Sequence, residues 1–348
     1  MQNCKCSIII LNWNGAEMMR RYLPSVVNYC PEFAEVVVAD NGSTDNSLDL
    51  LREKFPNVRV IAFDKNYGFA EGYNRALEEA ECEYSVLLNS DVEVTAGWLE
   101  PLVRYMDEHP DVAAVQPKVL AHYDKVKKQN GEPVLFEHAG AAGGYIDRLG
   151  YPYCRGRIMG QLELDNGQYE SPERIFWATG ACLLTRTAIY KEIGGLDADF
   201  FAHMEEIDFC WRLNSRGYKL LCLPESTVYH LGGGALPYES PRKTYLNFRN
   251  CLLMLYKNLP TKSLYWIMPL RCCLDYVAAL QFAIKGQGAN AREVIHARID
   301  YHKMRKLMAD RRKTNLKKSK NAKPETIGPF SILVHFYLLG HKHFSQLH

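Results

Sequence analysis

Short apolar runs rich in β-branched residues recur along the first third of the chain: Ser7–Leu11 (SIIIL), Glu35–Ala39 (EVVVA), Val58–Phe63 (VRVIAF) and Tyr84–Leu88 (YSVLL). Runs of this length without polar alternation predict strands buried on both faces. Between them the pattern predicts helices at about 16–29, 45–54, 71–80 and 97–109. Asn41, Ser43 and Thr44 offer caps before the second, and Pro56 and Pro110 follow the ends of two. Strands alternating with helices at this spacing predict a parallel sheet. Ligands of such sheets lie beyond the carboxyl ends of the strands. Four polar segments fall there: Asn12-Trp13-Asn14, Asp40-Asn41-Gly42-Ser43, Asn66-Tyr67-Gly68 and Asn89-Ser90-Asp91.

Further along, residues 117–175 are rich in Gly, Tyr and charge and have little periodicity, which predicts a long insertion over the sheet. Strand character returns at Phe176–Thr185 and at Tyr218–Leu223, separated by a Gly194-Gly195 break and an acidic segment. Beyond about 240 the chain turns apolar and aromatic, at Tyr245–Tyr256 and Leu264–Ile284. The second stretch is long enough to span a bilayer. It carries Pro269, Arg271 and Asp275, however, and central charges are costly there. Arg271 and Asp275 are spaced to pair on a helix. A soluble core helix, a helix lying in a membrane interface and a true span all fit this pattern. Phe330–Leu339 is too short to span.

Composition narrows the class. The 348 residues are 47% hydrophobic and 24% charged, with a net charge of +2, which describes an ordinary globular protein with no global field to select a partner. Lys303 to Lys323 holds ten basic residues and one acid, Asp310. Such a run fits a solvated tail or a segment attracted to anionic lipid. It lacks the interleaved aromatics of a nucleic-acid site, so no nucleic-acid partner is expected. Eleven cysteines are scattered, without a Cys-x-x-Cys pair, and most sit in apolar runs. That usage predicts free core thiols in a reducing compartment. The amino terminus runs straight into a strand, and no signal peptide is expected.

The chemistry concentrates in a few places. Glu205, Glu206 and Asp208 set three carboxylates within four positions beside bulky apolar residues. A buried carboxylate has a raised pKa, which suits a general base; the same acids also suit a helix amino terminus. Asp91, after a strand, has the chemistry to ligate Mg²⁺ or Mn²⁺, hard ions that bridge phosphates. It equally fits a turn. Asp40 fits both an Asx turn capping a helix and an acceptor for a nucleobase N–H. Residues 66–74 fit a capped helix start whose glycines let a ligand approach. His230 follows a strand and precedes Gly232-Gly233-Gly234.

Taken together, the motifs resemble glycosyltransferase family 2 enzymes of GT-A fold, nearest the bacterial rhamnosyltransferase-like branch. The resemblance covers about residues 6–235 through IIILNWNG (8–15), VADNGSTD (38–45), NYGFAEGYN (66–74), LLNSDVEV (87–94), ATGACLLTR (178–186), EEIDFCWR (205–212) and VYHLGGG (228–234), in this order. It implies an α/β fold with a Rossmann-like nucleotide-binding half (1–116) fused to an acceptor half (117–240) on a mixed central sheet. A C-terminal helical region (241–348), expected to associate with membrane, follows. It also implies site roles. Asp40 would bind the uracil or thymine ring, and Asn12, Trp13 and Asn14 would frame base and ribose. Asn66 and Gly68 would lie near the nucleotide. Asn89-Ser90-Asp91 stands where the family has Asp-x-Asp, with Asn89 in place of the first acid and Asp91 as the metal-contacting one. Glu205-Glu206 matches a Glu-Asp pair, which points to Glu206 as base with Glu205 and Asp208 as rivals. His230 matches a second metal ligand.

The activity expected is therefore inverting, metal-dependent, non-processive transfer of a sugar from dTDP-rhamnose or a UDP-sugar to a saccharide or lipid-linked glycan. Its expected setting is surface polysaccharide synthesis at the cytoplasmic face of the membrane. The Gln-x-x-Arg-Trp motif of processive synthases is absent. Two other classes fit less well. A nucleotidyltransferase would want a basic Gly-rich loop after the first strand, where this chain has no Lys or Arg before Arg20. A non-catalytic membrane adaptor would need none of the acids.

Overall fold

A computed structural model describes residues 4–232, 240–321 and 323–347. The first apolar runs form β1 (Cys6–Asn12), β2 (Ala34–Asp40), β3 (Arg59–Ala62) and β4 (Tyr84–Asn89), with helices α1 (Ala16–Asn28), α2 (Ser47–Lys54) and α3 (Gly68–Glu78) between them. β1 pairs in parallel with β2 and with β4, and β2 with β3. Because side chains alternate across a strand, Ile8, Ile10, Val38, Val86 and Leu88 enter one core while Ile9, Val37, Ala39 and Leu87 enter the other. Both faces are thus buried, as the uninterrupted apolar runs require. β3 departs from this expectation. It is the edge strand, and only its Ile61 is buried.

The sheet continues through β5 (Val92–Val94), helix α4 (Glu100–Glu108), β6 (Val112–Ala121), β7 (Glu173–Arg174), β8 (Cys182–Arg186), helix α5 (Thr187–Ile193), helix α6 (Glu205–Ser215) and β9 (Lys219–His230). Its nine strands run in the order β7-β9-β6-β8-β4-β1-β2-β3, with β5 paired to β9. β8 is antiparallel to β4 and β6, and β9 is parallel to β6, so the sheet is mixed. All ten residues of β6 are buried. This strand straddles the 116/117 boundary between the expected halves. The following insertion is not a plain loop. It builds a small five-stranded sheet (Gln161–Leu162, Arg157–Ile158, Pro152–Cys154, Gly144–Asp147), closed by Ile327–Gly328 from the far end of the chain.

Helices α7 (Pro241–Asn258), α8 (Thr261–Ile284), α9 (Gly288–Met304) and α10 (Ala309–Lys318) follow. The basic run is only partly a solvated tail. Arg311 bridges Asp197 and Asp199 at 2.6 Å each, and Arg312 is buried, donating to the Tyr256 carbonyl and, at 2.7 Å, to that of Leu259. Packing α10 against α7 requires buried guanidinium groups to find acceptors, and these do. In α8 the central charges turn inward. Ile267, Arg271, Asp275 and Ala279 form the buried stripe, four residues apart. Arg271 donates to the Leu149 carbonyl at 3.1 Å and lies 3.6 Å from Asp275, which Arg298 of α9 also meets at 2.5 Å. The cysteines hold one surprise. Cys4 and Cys82 form a disulfide, brought together as Tyr84 N donates to the Lys5 carbonyl beside them, while the other nine are free.

Candidate active site

The parallel register makes the strand ends level. Asn12 lies beside Asp40 and Asp40 beside Ala62. Their loops lock together at the sheet's carboxyl edge. Asn12 Nδ2 donates to Asp40 Oδ2 (2.9 Å) and to Ser43 Oγ (3.2 Å), and Ser43 N donates to Asp40 Oδ1 (2.9 Å). Asn14, at φ +50°, accepts from Thr44 N at 2.7 Å. Asn41 Nδ2 donates to Asn66 Oδ1 (3.1 Å) and to the Gly68 carbonyl (3.0 Å), while Asn66 Oδ1 accepts from Gly68 N (2.7 Å). Trp13 is 57% exposed, a free indole face at the rim of this edge. Asp40 therefore does act as a turn acceptor, as its residue type allowed. It is also buried and fixed at the strand end, held by the neighbouring loop.

Asp91 sits in the turn between β4 and β5, and β9 pairs with β5 so that His230 lies beside Val92. This pairing carries His230 Nε2 to 3.2 Å from Asp91 Oδ1 across 139 residues of sequence. The other ring nitrogen, Nδ1, lies 3.1 Å from Glu137 Oε2. Sequence reasoning missed Glu137. It stands in the aperiodic insertion, where nothing in the spacing marks it. Burial alone would lower the His230 pKa, but Asp91 and Glu137 outweigh it and push it up to about 10. Burial would raise Glu137, and His230 holds it instead at about 2. An imidazole fixed by a carboxylate on Nδ1, with Nε2 aimed at a second carboxylate, is the arrangement of an oriented metal-ligating histidine. Without a metal the raised pKa makes His230 an imidazolium paired with Asp91, so the pair fits a divalent cation that replaces the ring proton on binding. Of the glycines after His230, Gly233 and Gly234 lie outside the described residues.

Glu205 and Glu206 open α6, directly after a backbone with positive φ at Phe201 (+65°), His203 (+69°) and Met204 (+71°). The loop joins the donor edge through Phe69 N, which donates to the Phe201 carbonyl at 2.9 Å. The Phe201 ring packs so closely on Gly68 that a Cβ there would lie 2.6 Å from it. Glu206 borders Gly180, next to Ala181, whose carbonyl accepts from Asn89 N at 3.0 Å. The acid pair thus lies against the end of β4. Oε2 of Glu205, Oε2 of Glu206 and Nε2 of His203 are buried and have no partner among the described residues. Burial raises the Glu206 carboxyl to about 7, and burial with the charge of Glu206 raises Glu205 well above the usual carboxylate range. Burial and Lys243 hold the His203 imidazole down at about 4.

Asp208 requires a correction. Its Oδ2 meets Lys257 Nζ at 2.8 Å and Arg212 Nε at 2.9 Å, and its Oδ1 accepts from Asn258 Nδ2 at 2.8 Å. Burial would raise it, but the two cations prevail and keep it ionised. With both oxygens committed, Asp208 joins α6 to α7 and is not a rival base.

The fold is an α/β sheet whose carboxyl edge gathers the polar loops and the acid pair. Residues 7–160 match glycosyl transferase family 2. The N-acetylglucosaminyl-diphospho-decaprenol L-rhamnosyltransferase of Mycobacterium tuberculosis is 25% identical over 236 residues, covering 64% of this chain and 75% of the relative. GalNAc-T7 solved with UDP, GalNAc and Mn²⁺ superposes with a TM-score of 0.56 at 18% identity, over 74% of this chain but only 48% of that one. S. aureus TarS 1–349 with UDP superposes at 0.52 and 19% identity, over 90% of this chain and 88% of the other. Residues 7–160 thus resemble glycosyl transferase family 2, and the chain has the GT-A fold.

Proposed function

We propose that the protein transfers one sugar at a time, with inversion, from a nucleoside-diphosphate donor to a saccharide or lipid-linked glycan, with Glu206 as general base. The observation that carries this reading is a half-buried residue beside Gly180 whose carboxylate keeps one oxygen buried and unpartnered, with a pKa raised to about 7. A base with its pKa near the working pH is the efficient choice for taking a hydroxyl proton. Asp40, Asn12, Trp13, Asn14, Asn66, Gly68, Asn89 and Ser90 bind the nucleotide sugar. Asp91 and His230 hold Mg²⁺ or Mn²⁺, which when bound supplies positive charge against the donor's diphosphate. Glu137 keeps His230 turned toward Asp91. Glu206 then removes the proton of the acceptor hydroxyl as that oxygen attacks the anomeric carbon on the face opposite the diphosphate.

The donor we favour is dTDP-rhamnose, with UDP-sugars next, because the mycobacterial relative is named for rhamnosyl transfer to a lipid-linked sugar and the TarS and GalNAc-T7 structures hold UDP. The setting we favour is the cytoplasmic face of the cell membrane, in surface polysaccharide synthesis. α8 is the described helix long and apolar enough to cross a bilayer by length and composition, with a mean hydropathy of 1.4. Its central charges, Arg271 and Asp275, face the protein, while Trp266, Leu270, Tyr276, Val277, Leu280 and Ile284 are exposed. That pattern suits a helix lying in the interface.

The test pairs ligand binding with turnover. Thermal shift with Mn²⁺ against UDP, dTDP, GDP and CMP should single out one nucleotide, since a ligand of the folded state raises its stability. Glu206→Gln should keep that shift and lose about 10²–10⁴-fold in kcat. Normal turnover in Glu206→Gln would overturn the assignment of the base.

A further inference from the structure

The loop that delivers Glu206 follows a costly path. Phe201, His203 and Met204 all take a positive φ, which residues with a Cβ avoid, and Phe201, at ψ −58°, lies outside even the left-handed helical region. Such a backbone persists only where its surroundings impose it. What imposes it comes from the C-terminal region. Asn250, fully buried in the middle of α7, donates through Nδ2 to three successive parts of the loop: the carbonyls of Phe200 (2.9 Å), Ala202 (2.8 Å) and His203 (2.7 Å). Arg249 fixes the amide from behind, its Nε donating to Asn250 Oδ1 at 2.9 Å. Its Nη2 adds donations to the carbonyls of Asp199 (3.1 Å) and Phe200 (3.0 Å).

We infer that Asn250, oriented by Arg249, is a positioning residue of the transferase: it holds the Phe201–Met204 loop in its positive-φ path and so sets the Glu206 carboxylate. The carbonyls of this loop point at one side chain rather than along a helix or a strand. An amide is the group whose N–H pair can serve them while its oxygen accepts from a neighbour. Aspartate has the same shape and no donor, and it would set a negative oxygen against three carbonyls. Leucine would take the Asn250 donor from all three and leave Phe200 with only its bonds from Arg249 and Ala202 N. The C-terminal region is thereby a working part of the active site, independent of any role at a membrane.

The inference rests on Glu206 as the base for its catalytic consequence, and the experiment separates the two. Wild type, Asn250→Asp, Asn250→Ser and Glu206→Gln are compared, with the nucleotide sugar that supports turnover in wild type and with Mn²⁺. Misplacing a catalytic group by about 1 Å costs up to about 10²-fold. Asn250→Asp should accordingly lose at least about tenfold in kcat, while KM for the donor stays within about threefold and the nucleotide-induced thermal shift is kept. Amides 200–206 should exchange hydrogen faster, and those of residues 7–45 should not. Asn250→Ser, with a single O–H donor, should fall between Asp and wild type and covers the case in which Asn250→Asp does not fold. A folded Asn250→Asp with kcat within about twofold of wild type would overturn the inference, as would a fully active Asn250→Ser. If Glu206→Gln turns over normally while Asn250→Asp is impaired in kcat alone, the base is misassigned and the positioning role stands for another group on the loop.

Discussion

The two sides of the active-site edge are built on opposite principles. On the donor side, Asn12, Asp40, Asn41, Ser43 and Asn66 bond to one another and to loop backbone, in a cradle complete before any ligand arrives; Oδ1 of Asn12 is the exception. On the acid side, Glu205, Glu206 and His203 each leave a buried polar atom without a partner, on or directly after a loop with positive φ at Phe201, His203 and Met204. Satisfied polar networks rigidify, and unsatisfied ones cost stability. The first suits recognition of a fixed nucleotide. The second keeps a carboxylate short of solvation and therefore basic enough to take a proton. Function here is purchased with local instability, and the C-terminal helix α7 compensates for it.

Within α6 the contrast is sharper still, because Glu206 and Asp208 are two residues apart. Asp208 is buried with two cations and an amide, and Glu206 is half-buried, its Oε2 out of solvent with no such partner. Removing one partner of a buried ion pair typically costs about 3–5 kcal/mol. Lys257→Met should destabilise by about that much, read as a fall in the denaturant midpoint, since Asp208 and Asp197 both lose their 2.8 Å and 2.6 Å contacts. A variant with an unchanged midpoint would mean that the cluster does not hold α6 to α7.

The donor cradle gives the next effect. Asp40→Ala removes the acceptor for both Asn12 Nδ2 and Ser43 N. At a nucleotide concentration of about 100 Kd the wild type gains about 2.7 kcal/mol from binding, and the variant should lose most of it. The same variant should leave the pH behaviour of the acid pair as it is. A full thermal shift in Asp40→Ala would show that the cradle is a structural turn and nothing more.

That behaviour has a definite sign. The Glu206 pKa is raised from 4.5 to about 7 in the folded state, so the folded protein binds the extra proton between those values. Stability then falls as pH climbs from about 4.5 through about 7, and the penalty is complete above it. Glu205 shifts the same way. Glu206→Gln escapes this penalty, so its melting temperature should exceed that of wild type at pH 8 and approach it at pH 5. In kcat/KM, activity should rise with pH through about 7 as the base ionises. A gap in melting temperature that does not open with pH would refute the picture of an unpaired, desolvated acid.

These contrasts explain what could be read in the sequence. The donor side was legible because it sits at the ends of apolar runs whose register is set by pairing: Asn12 and Asp40 follow SIII and VVV and must arrive together. The acids were legible as a cluster, but not their division of labour. That division depends on Lys257 and Asn258, some 50 residues further on, reaching Asp208 and neither Glu205 nor Glu206. Glu137 was lost in an insertion whose short strands are set by its own small sheet and not by periodicity. Asn250 left no mark of its own, since its helix also carries Asn247 and Asn258. The basic run misled in part, since charge alone does not show that Arg311 and Arg312 have partners in the fold.

The smallest effect on stability should come from the outer face of α8, which has no counterpart among the paired surfaces. Val277 and Leu280 are 62% and 61% exposed, on the side of the helix away from Arg271 and Asp275. Exposed substitutions usually change stability by no more than about 0.5 kcal/mol. Val277→Asp with Leu280→Asp should therefore leave the melting temperature and the nucleotide shift nearly as they are. Two charges on an apolar stripe should nevertheless abolish binding to vesicles of mixed anionic and neutral lipid, because insertion of that stripe would then carry ions out of water. The buried Arg271–Asp275–Arg298 cluster makes the experiment clean: the central charges of α8 are already committed inward, so the outer face can be changed without disturbing them. Undiminished vesicle binding by the double variant would move the contact to the remaining free basic residues after Met304, and salt would then release it where the apolar face would hold.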